Sequence, residues 1–165
     1  MNRYFYLGFV LVLTTGISCR RLPNVQGKGS LFLQGIWNED KVKNSEQLLN
    51  YTQYKLKFTC DSFYVDLTTH SKVNYYEENC FNNGVWKEYA KGVYQVKNDT
   101  LLLDGTYTKA NYKQKVSGCY NIGRFLKTFV VKSSKADSLI LDNITDQRTC
   151  SLRLKEKINC IPKKL

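Results

Sequence analysis

The chain of 165 residues has one histidine, and every apolar run after its first twenty residues is short. Lys, Asn, Asp or Glu break each later run, so none approaches the ~20 residues needed to cross a bilayer as a helix. A Gly-rich phosphate loop, a zinc-binding His-Glu motif and a dinucleotide fingerprint are all missing. No two of the six cysteines stand at the close spacing usual for structural zinc. These gaps exclude common nucleotide, metal-protease and hydride chemistries, and no cofactor or metal is expected.

The start of the chain is more informative. Arg3 precedes the apolar run Leu7 to Leu13, and Gly16-Ile17-Ser18 leads into Cys19. This is the layout of a secretory signal peptide over residues 1–18, ending on a cysteine able to carry lipid. Gly16 departs from the Leu most often found three residues before a lipidated cysteine. A secreted protein cleaved at another small residue is the alternative. With Cys19 as the lipid attachment, more than one acyl chain would be buried, enough for stable anchoring. Residues 19–30 then read as a lipidated, polar tether and residues 31–165 as one domain, a normal size for one core.

Removing the leader with Arg3 lowers the formal charge only from +11 to +10. Such a balance favours anionic envelope surfaces, while a secretory leader argues against nucleic acid. The basic residues mostly alternate with apolar ones, which is also the pattern of a solvated face. Five cysteines remain, and an oxidising compartment makes them disulfide staples. Their odd number leaves one free and permits fifteen arrangements. Cys60–Cys80 with Cys119–Cys160 is the expected set, leaving Cys150 inside a strand, although Cys150 and Cys160 are interchangeable in this reading.

Periodicity of two dominates the rest. Tyr54, Leu56 and Phe58 alternate with Lys55, Lys57 and Thr59, as in strands with one buried face. An Asp-(Ser/Thr)-apolar unit recurs at Asp61-Ser62-Phe63, Asp99-Thr100-Leu101 and Asp137-Ser138-Leu139, spaced 38 residues apart. Each copy follows a β-type run, and Asp and Ser/Thr suit turns because they bond nearby backbone N–H groups. The expected strands are 32–38, 53–60, 62–69, 84–90, 92–97, 100–108, 111–121, 125–133, 138–142 and 150–158. Only 44–51 reads as a short helix, with Asn44 as its cap. Eight to ten sequential strands should close to remove exposed edges. The predicted fold is all-β, an antiparallel up-and-down meander closing into a barrel, with a two-sheet sandwich as competitor. Gly35-Ile36-Trp37 resembles the Gly-x-Trp of lipocalins, which implies a calycin-type barrel with Trp37 across one end.

His70 and Asp66 are the candidate catalytic pair, without a nucleophile signature around them. Tyrosines are plentiful, and Trp37, Tyr94, Tyr107 and Tyr120 are candidates to line a pocket. From Phe58-Thr59-Cys60-Asp61 through His70-Ser71-Lys72, Cys80-Phe81-Asn82-Asn83-Gly84, Tyr89-Ala90-Lys91-Gly92 and Asp99 to Lys115, the chain resembles a group of short Bacteroidota lipoproteins. The resemblance covers nearly all of it, leader included. It implies a lipoprotein of the bacterial envelope on the periplasmic face, at the outer rather than the inner membrane, and the chain is expected to be a monomer. Asp-(Ser/Thr)-apolar is similar to the O-glycosylation site of that phylum, implying glycans on Thr100, Ser138 and Ser62. The label fumarate hydratase attaches to members of this group, but the chain lacks the Gly-Ser-Ser loop of one fumarase class and a setting for the iron–sulfur cluster of the other.

The expected function is therefore a non-catalytic, lipid-anchored barrel that binds a small apolar or amphipathic ligand or an envelope partner. A small envelope enzyme of hydratase type is the runner-up. The mature protein is expected to carry a lipid mass, and Cys19→Ala to release it from the membrane fraction. An intact mass equal to polypeptide plus lipid alone would end the glycan expectation.

Overall fold

The computed structural model describes residues 25–164. Eight antiparallel strands follow one another around a closed barrel: β1 (Gly35–Glu39), β2 (Asn50–Thr59), β3 (Ser62–Ser71), β4 (Val85–Lys97), β5 (Thr100–Thr108), β6 (Arg124–Ser134), β7 (Ser138–Asn143) and β8 (Arg148–Lys157). Each strand pairs with its neighbour in sequence, and β1 pairs with β8 from Gly35 opposite Lys157 to Glu39 opposite Leu152. This is the up-and-down barrel that the alternation implies, with every edge satisfied. Among the described residues no helix is long and apolar enough to cross a membrane.

Two of the ten expected strands disappear. Residues 84–90 and 92–97 form the single strand β4, whose pairing with β5 runs through Gly92 opposite Gly105 without a break. A Cβ on Gly92 would run into the carbonyl oxygen of Asp104. Residues 111–121 form a loop; Tyr112 and Tyr120 have φ of 57° and 67°, left-handed values incompatible with a strand. The helix expected at 44–51 shrinks to a 3-10 turn, Ser45–Gln47. Asn44 sits in the left-handed region and makes no side-chain cap bond. Pairing wins over local preference there, since β2 already begins at Asn50 opposite Ser71. A one-turn helix, α1 (Glu78–Phe81), stands in the β3–β4 loop instead.

The three 38-spaced aspartates occupy the β2–β3, β4–β5 and β6–β7 turns, all at one end of the barrel. Their backbones do the same job three times. The Asp61 carbonyl accepts from Tyr94 N–H on β4 (2.9 Å), Asp99 from Val131 on β6 (2.7 Å) and Asp137 from Leu154 on β8 (2.8 Å). Each turn is thereby tied to the strand that follows its own hairpin. The side chains are less regular: Ser62 and Thr100 donate to the neighbouring carboxylates of Asp61 and Asp99 at 3.3 and 3.5 Å.

The same end is plugged. Trp37, Leu56, Phe58, Phe63, Leu101, Leu103, Phe125, Phe129, Leu139, Leu141 and Leu152 fill the interior at no more than 1% exposure. Burying each large side chain contributes about 1.5–3 kcal/mol. Trp37 lies across the closed end and donates its indole N–H to the Leu33 carbonyl at 2.8 Å. Gln34 bonds both backbone groups of Cys60 and the Tyr94 hydroxyl, all within 2.9 Å.

Part of the expected tether belongs to this plug. Gly27 N–H donates to the Asp61 carboxylate (2.8 Å), Gln26 N–H to the Lys163 carbonyl (2.8 Å), and Ser30 N–H to the Tyr94 hydroxyl (2.9 Å). Gly29 has φ +65°, and a Cβ there would strike the Cys60 carbonyl. The segment 25–30 is thus docked against the barrel. Cys19 and residues 20–24, with the leader, lie outside the described residues.

The disulfides use the four expected cysteines in a different pairing: Cys60–Cys160 and Cys80–Cys119, with Cys150 free and buried. Cys60 and Cys80 cannot pair because β3 runs from the closed end to the opposite end between them, whereas residues 159–164 return to the closed end beside Cys60. The Cys60–Cys160 bond spans 100 residues. Replacing both partners with serine is expected to lower the unfolding free energy by about 2–5 kcal/mol in a urea titration. A non-reducing peptide map should link Cys60 to Cys160, and a Cys60–Cys80 peptide would overturn the pairing.

Candidate functional site

At the end opposite the plug, apolar residues give way to polar ones on the inner wall. Each strand contributes one: Glu39, Thr52, Thr69, Glu88, Tyr107, Lys127, Asn143 and Arg148, from β1 to β8 in order. Six of these, Thr52, Thr69, Glu88, Tyr107, Lys127 and Arg148, line a cavity of about 510 Å³ together with Leu48, Leu67, Tyr51, Tyr54, Asn121 and Asp146. That volume lies in the range of small-molecule sites. The plug below it limits its depth, so this is a cup in the mouth and not a channel through the barrel.

Charges on the cup wall are mostly paired, as burial demands. Arg148 forms two bonds to the Glu39 carboxylate, at 2.5 and 2.9 Å, and a third to the Thr52 carbonyl. Its guanidinium stands 5.5 Å from the centre of the Tyr54 ring. Lys127 meets Asp146 at 2.8 Å, and Asp146 also accepts from the Tyr54 hydroxyl (2.8 Å) and the Asn143 amide (2.8 Å). Burial tends to raise the Asp146 pKa, but the Lys127 and Tyr54 bonds outweigh it, so the carboxyl lies below its ordinary value. Tyr107 is pushed up to about 12, chiefly by burial and then by the charges of Glu88 and Asp146. Its hydroxyl therefore stays protonated through the physiological range.

Glu88 differs from the others. It is 7% exposed. One oxygen accepts from the Asn121 backbone and side-chain N–H groups, both at 2.9 Å, and the other only from the Trp86 indole at 3.4 Å. Among the described residues, no Lys or Arg nitrogen reaches it within 4 Å.

Two loops build the rim beside Glu88. The β5–β6 loop, 109–123, is tied to the β3–β4 loop by Cys80–Cys119. Tyr120 stacks on Trp86 with ring centres 5.3 Å apart, and its hydroxyl donates to the Cys80 carbonyl at 2.5 Å. Tyr76 meets both rings edge-on. The disulfide and the aromatic cluster hold Asn121 where it can grip Glu88.

The expected site residues are scattered by this arrangement. Of the four candidate pocket aromatics only Tyr107 lines the cup. Trp37 and Tyr94 are buried in the plug, where their positions on β1 and β4 fall nearer the closed end, and Tyr120 sits in the rim. His70 and Asp66 do not come together. Inward residues of β3 are Phe63, Val65 and Leu67, so Asp66 and His70 both face outward, four residues or about 13 Å apart along the strand. His70 stacks on Tyr51 with centres 4.8 Å apart, and Asp66 takes the Tyr112 hydroxyl and Lys55. Ser62, Thr100 and Ser138 begin β3, β5 and β7 at the closed end, each half-buried. Cys150 faces the interior, and burial raises its thiol to about 12, which keeps it unreactive.

Sequence reasoning missed Glu88, Lys127, Asn143, Asp146 and Arg148. For four of them a signal exists, because each puts a polar residue on an otherwise apolar alternation: Trp86-x-Glu88-x-Ala90, Phe125-x-Lys127-x-Phe129, Leu141-x-Asn143 and Arg148-x-Cys150. Asp146 lies in a turn and leaves no such trace. Among the described residues no group of three or more His, Cys, Asp or Glu is placed to hold a metal ion. No protein-family model, curated protein or solved structure matches the chain.

The Asp146 network carries a pH dependence. A carboxyl whose folded pKa is lowered stabilises the fold above its unfolded value of about 3.9, and that stability fades as pH falls through the folded value. Asp146→Asn is therefore expected to cost about 1–3 kcal/mol at pH 7. The difference from the parent should close as pH falls below about 4, measured by urea unfolding across pH.

Proposed function

We propose that this chain is a lipid-anchored envelope protein whose barrel holds a small amphipathic ligand in its mouth, without catalysing a reaction on it. The observation that carries the reading is the cup of about 510 Å³, which joins apolar walls to a ring of hydrogen-bonding and charged groups. Leu48, Leu67 and the rings of Tyr54 and Tyr107 offer apolar and aromatic contact. Thr69, Asn121 and Tyr107 offer orienting polar contacts. A long, purely apolar ligand fits this reading poorly, because the lower interior is packed with Phe and Leu side chains.

Topology supports an orientation. Val25 joins the barrel at the closed end, beside Lys164. A lipid on Cys19 would be separated from it by six residues, at most about 20 Å of extended chain. The closed end would then face the bilayer and the mouth would open away from it. Such a protein samples ligands from the aqueous side rather than extracting them from the membrane.

The hydratase reading has less support, since His70 and Asp66 face outward without touching and the cup lacks a histidine. Native mass spectrometry of protein gently extracted from its own membrane tests the binding proposal. A noncovalent adduct is expected on the parent and not on Thr69→Trp, whose indole would occupy the cup. Parent protein that carries no adduct and takes up none from a periplasmic extract would count against ligand binding.

A further inference from the structure

Glu88 gives the cup a sign. Among the described residues, the charged groups that line it are Glu88, Asp146, Lys127 and Arg148, with Glu39 buried behind Arg148. Lys127 neutralises Asp146, and Arg148 neutralises Glu39. What remains is one carboxylate, so a protein with formal charge +11 presents an interior with a net negative charge. Burying a carboxylate without a counter-charge is costly. Holding the rim loop does not require it: an amide oxygen would accept the same two Asn121 bonds with no charge to bury. Moreover, the second Glu88 oxygen is nearly idle, with one contact at 3.4 Å. The aromatic lining suits a cation equally, since Tyr rings attract ammonium groups over their faces.

Resting on the reading of the mouth as a ligand cup, we infer that its ligand carries a protonated amine, which meets the free Glu88 oxygen while its apolar body lies against the tyrosines. The ligand class is thus a small organic ammonium compound. Anionic ligands are disfavoured, because both cations of the cup are already engaged. Exposed lysines elsewhere on the barrel repel an amine at long range, which makes a neutralising partner inside the cup the more specific signal.

The test uses three probes with one indole body and different heads: tryptamine, the neutral alcohol tryptophol, and indole-3-acetate. Each is titrated at pH 7 into the oxidised protein lacking its leader, whose barrel is complete within residues 25–164, and followed by amide chemical shifts. Tryptamine should bind at least about tenfold more tightly than tryptophol, the equivalent of one well-placed charge-assisted bond of about 1.4 kcal/mol. Indole-3-acetate should bind most weakly. Glu88→Gln should bring the amine-to-alcohol ratio to about one. Equal or tighter binding of the alcohol or the acid would overturn the amine inference and leave the cup as a ligand site. An unchanged ratio in Glu88→Gln would overturn the role of Glu88. Absence of mouth-residue shifts with all three probes would overturn both the amine inference and the cup itself.

Discussion

The hydrogen-bonded seam between β1 and β8 converts a meander into a cylinder, and the position of everything else depends on it. Once closed, the sheet has one interior, and strict alternation decides which side chains enter it. Opposite signs of parity place Phe63 inside and Tyr64 outside, Glu88 inside and Tyr89 outside. A one-residue slip at any pairing would reverse those assignments. The three aspartate carbonyls that tie each closed-end turn to the strand after its hairpin oppose such a slip at three points around the circumference.

The interior is divided along the barrel axis. Large apolar side chains, Trp37 and the Gln34–Tyr94 bond seal one end, and residues 25–30 with the Cys60–Cys160 bond dock the segments flanking the barrel onto it. The other end tolerates charge because partners are supplied locally, Arg148 for Glu39 and Lys127 for Asp146. The division also separates tasks. The packed apolar side chains are concentrated in the plug, while the rim, held by Cys80–Cys119 and the Trp86–Tyr120 stack, carries polar groups at the mouth.

Much of the barrel was legible from period-two alternation, and the 38-residue repeat marked three real turns. The Gly-x-Trp placed Trp37 correctly across one end. The disputed stretches failed for definite reasons. At 44–51 a weak helical preference lost to long-range pairing of β2 with β3. At 111–121 alternating residues looked like a strand, but left-handed Tyr112 and Tyr120 and the Cys80–Cys119 bond make a loop of it. The expected strands 84–90 and 92–97 are one, because β4 pairs with β5 continuously through Gly92. The cup was less legible. Its polar residues come singly from eight strands, so no local motif exists, and only their intrusion into apolar alternation hints at them.

Alternation, composition and turn chemistry thus determined by themselves that this chain is all-β, built of sequential antiparallel strands, and that four of its five later cysteines pair. Those properties follow from contacts between near neighbours in sequence. Which cysteines join and which stays free, which end is plugged, and that among the described residues no cation pairs with Glu88 were decided only by tertiary structure. Each depends on the stagger of strands far apart in the chain, and on charges that meet across the barrel instead of along it.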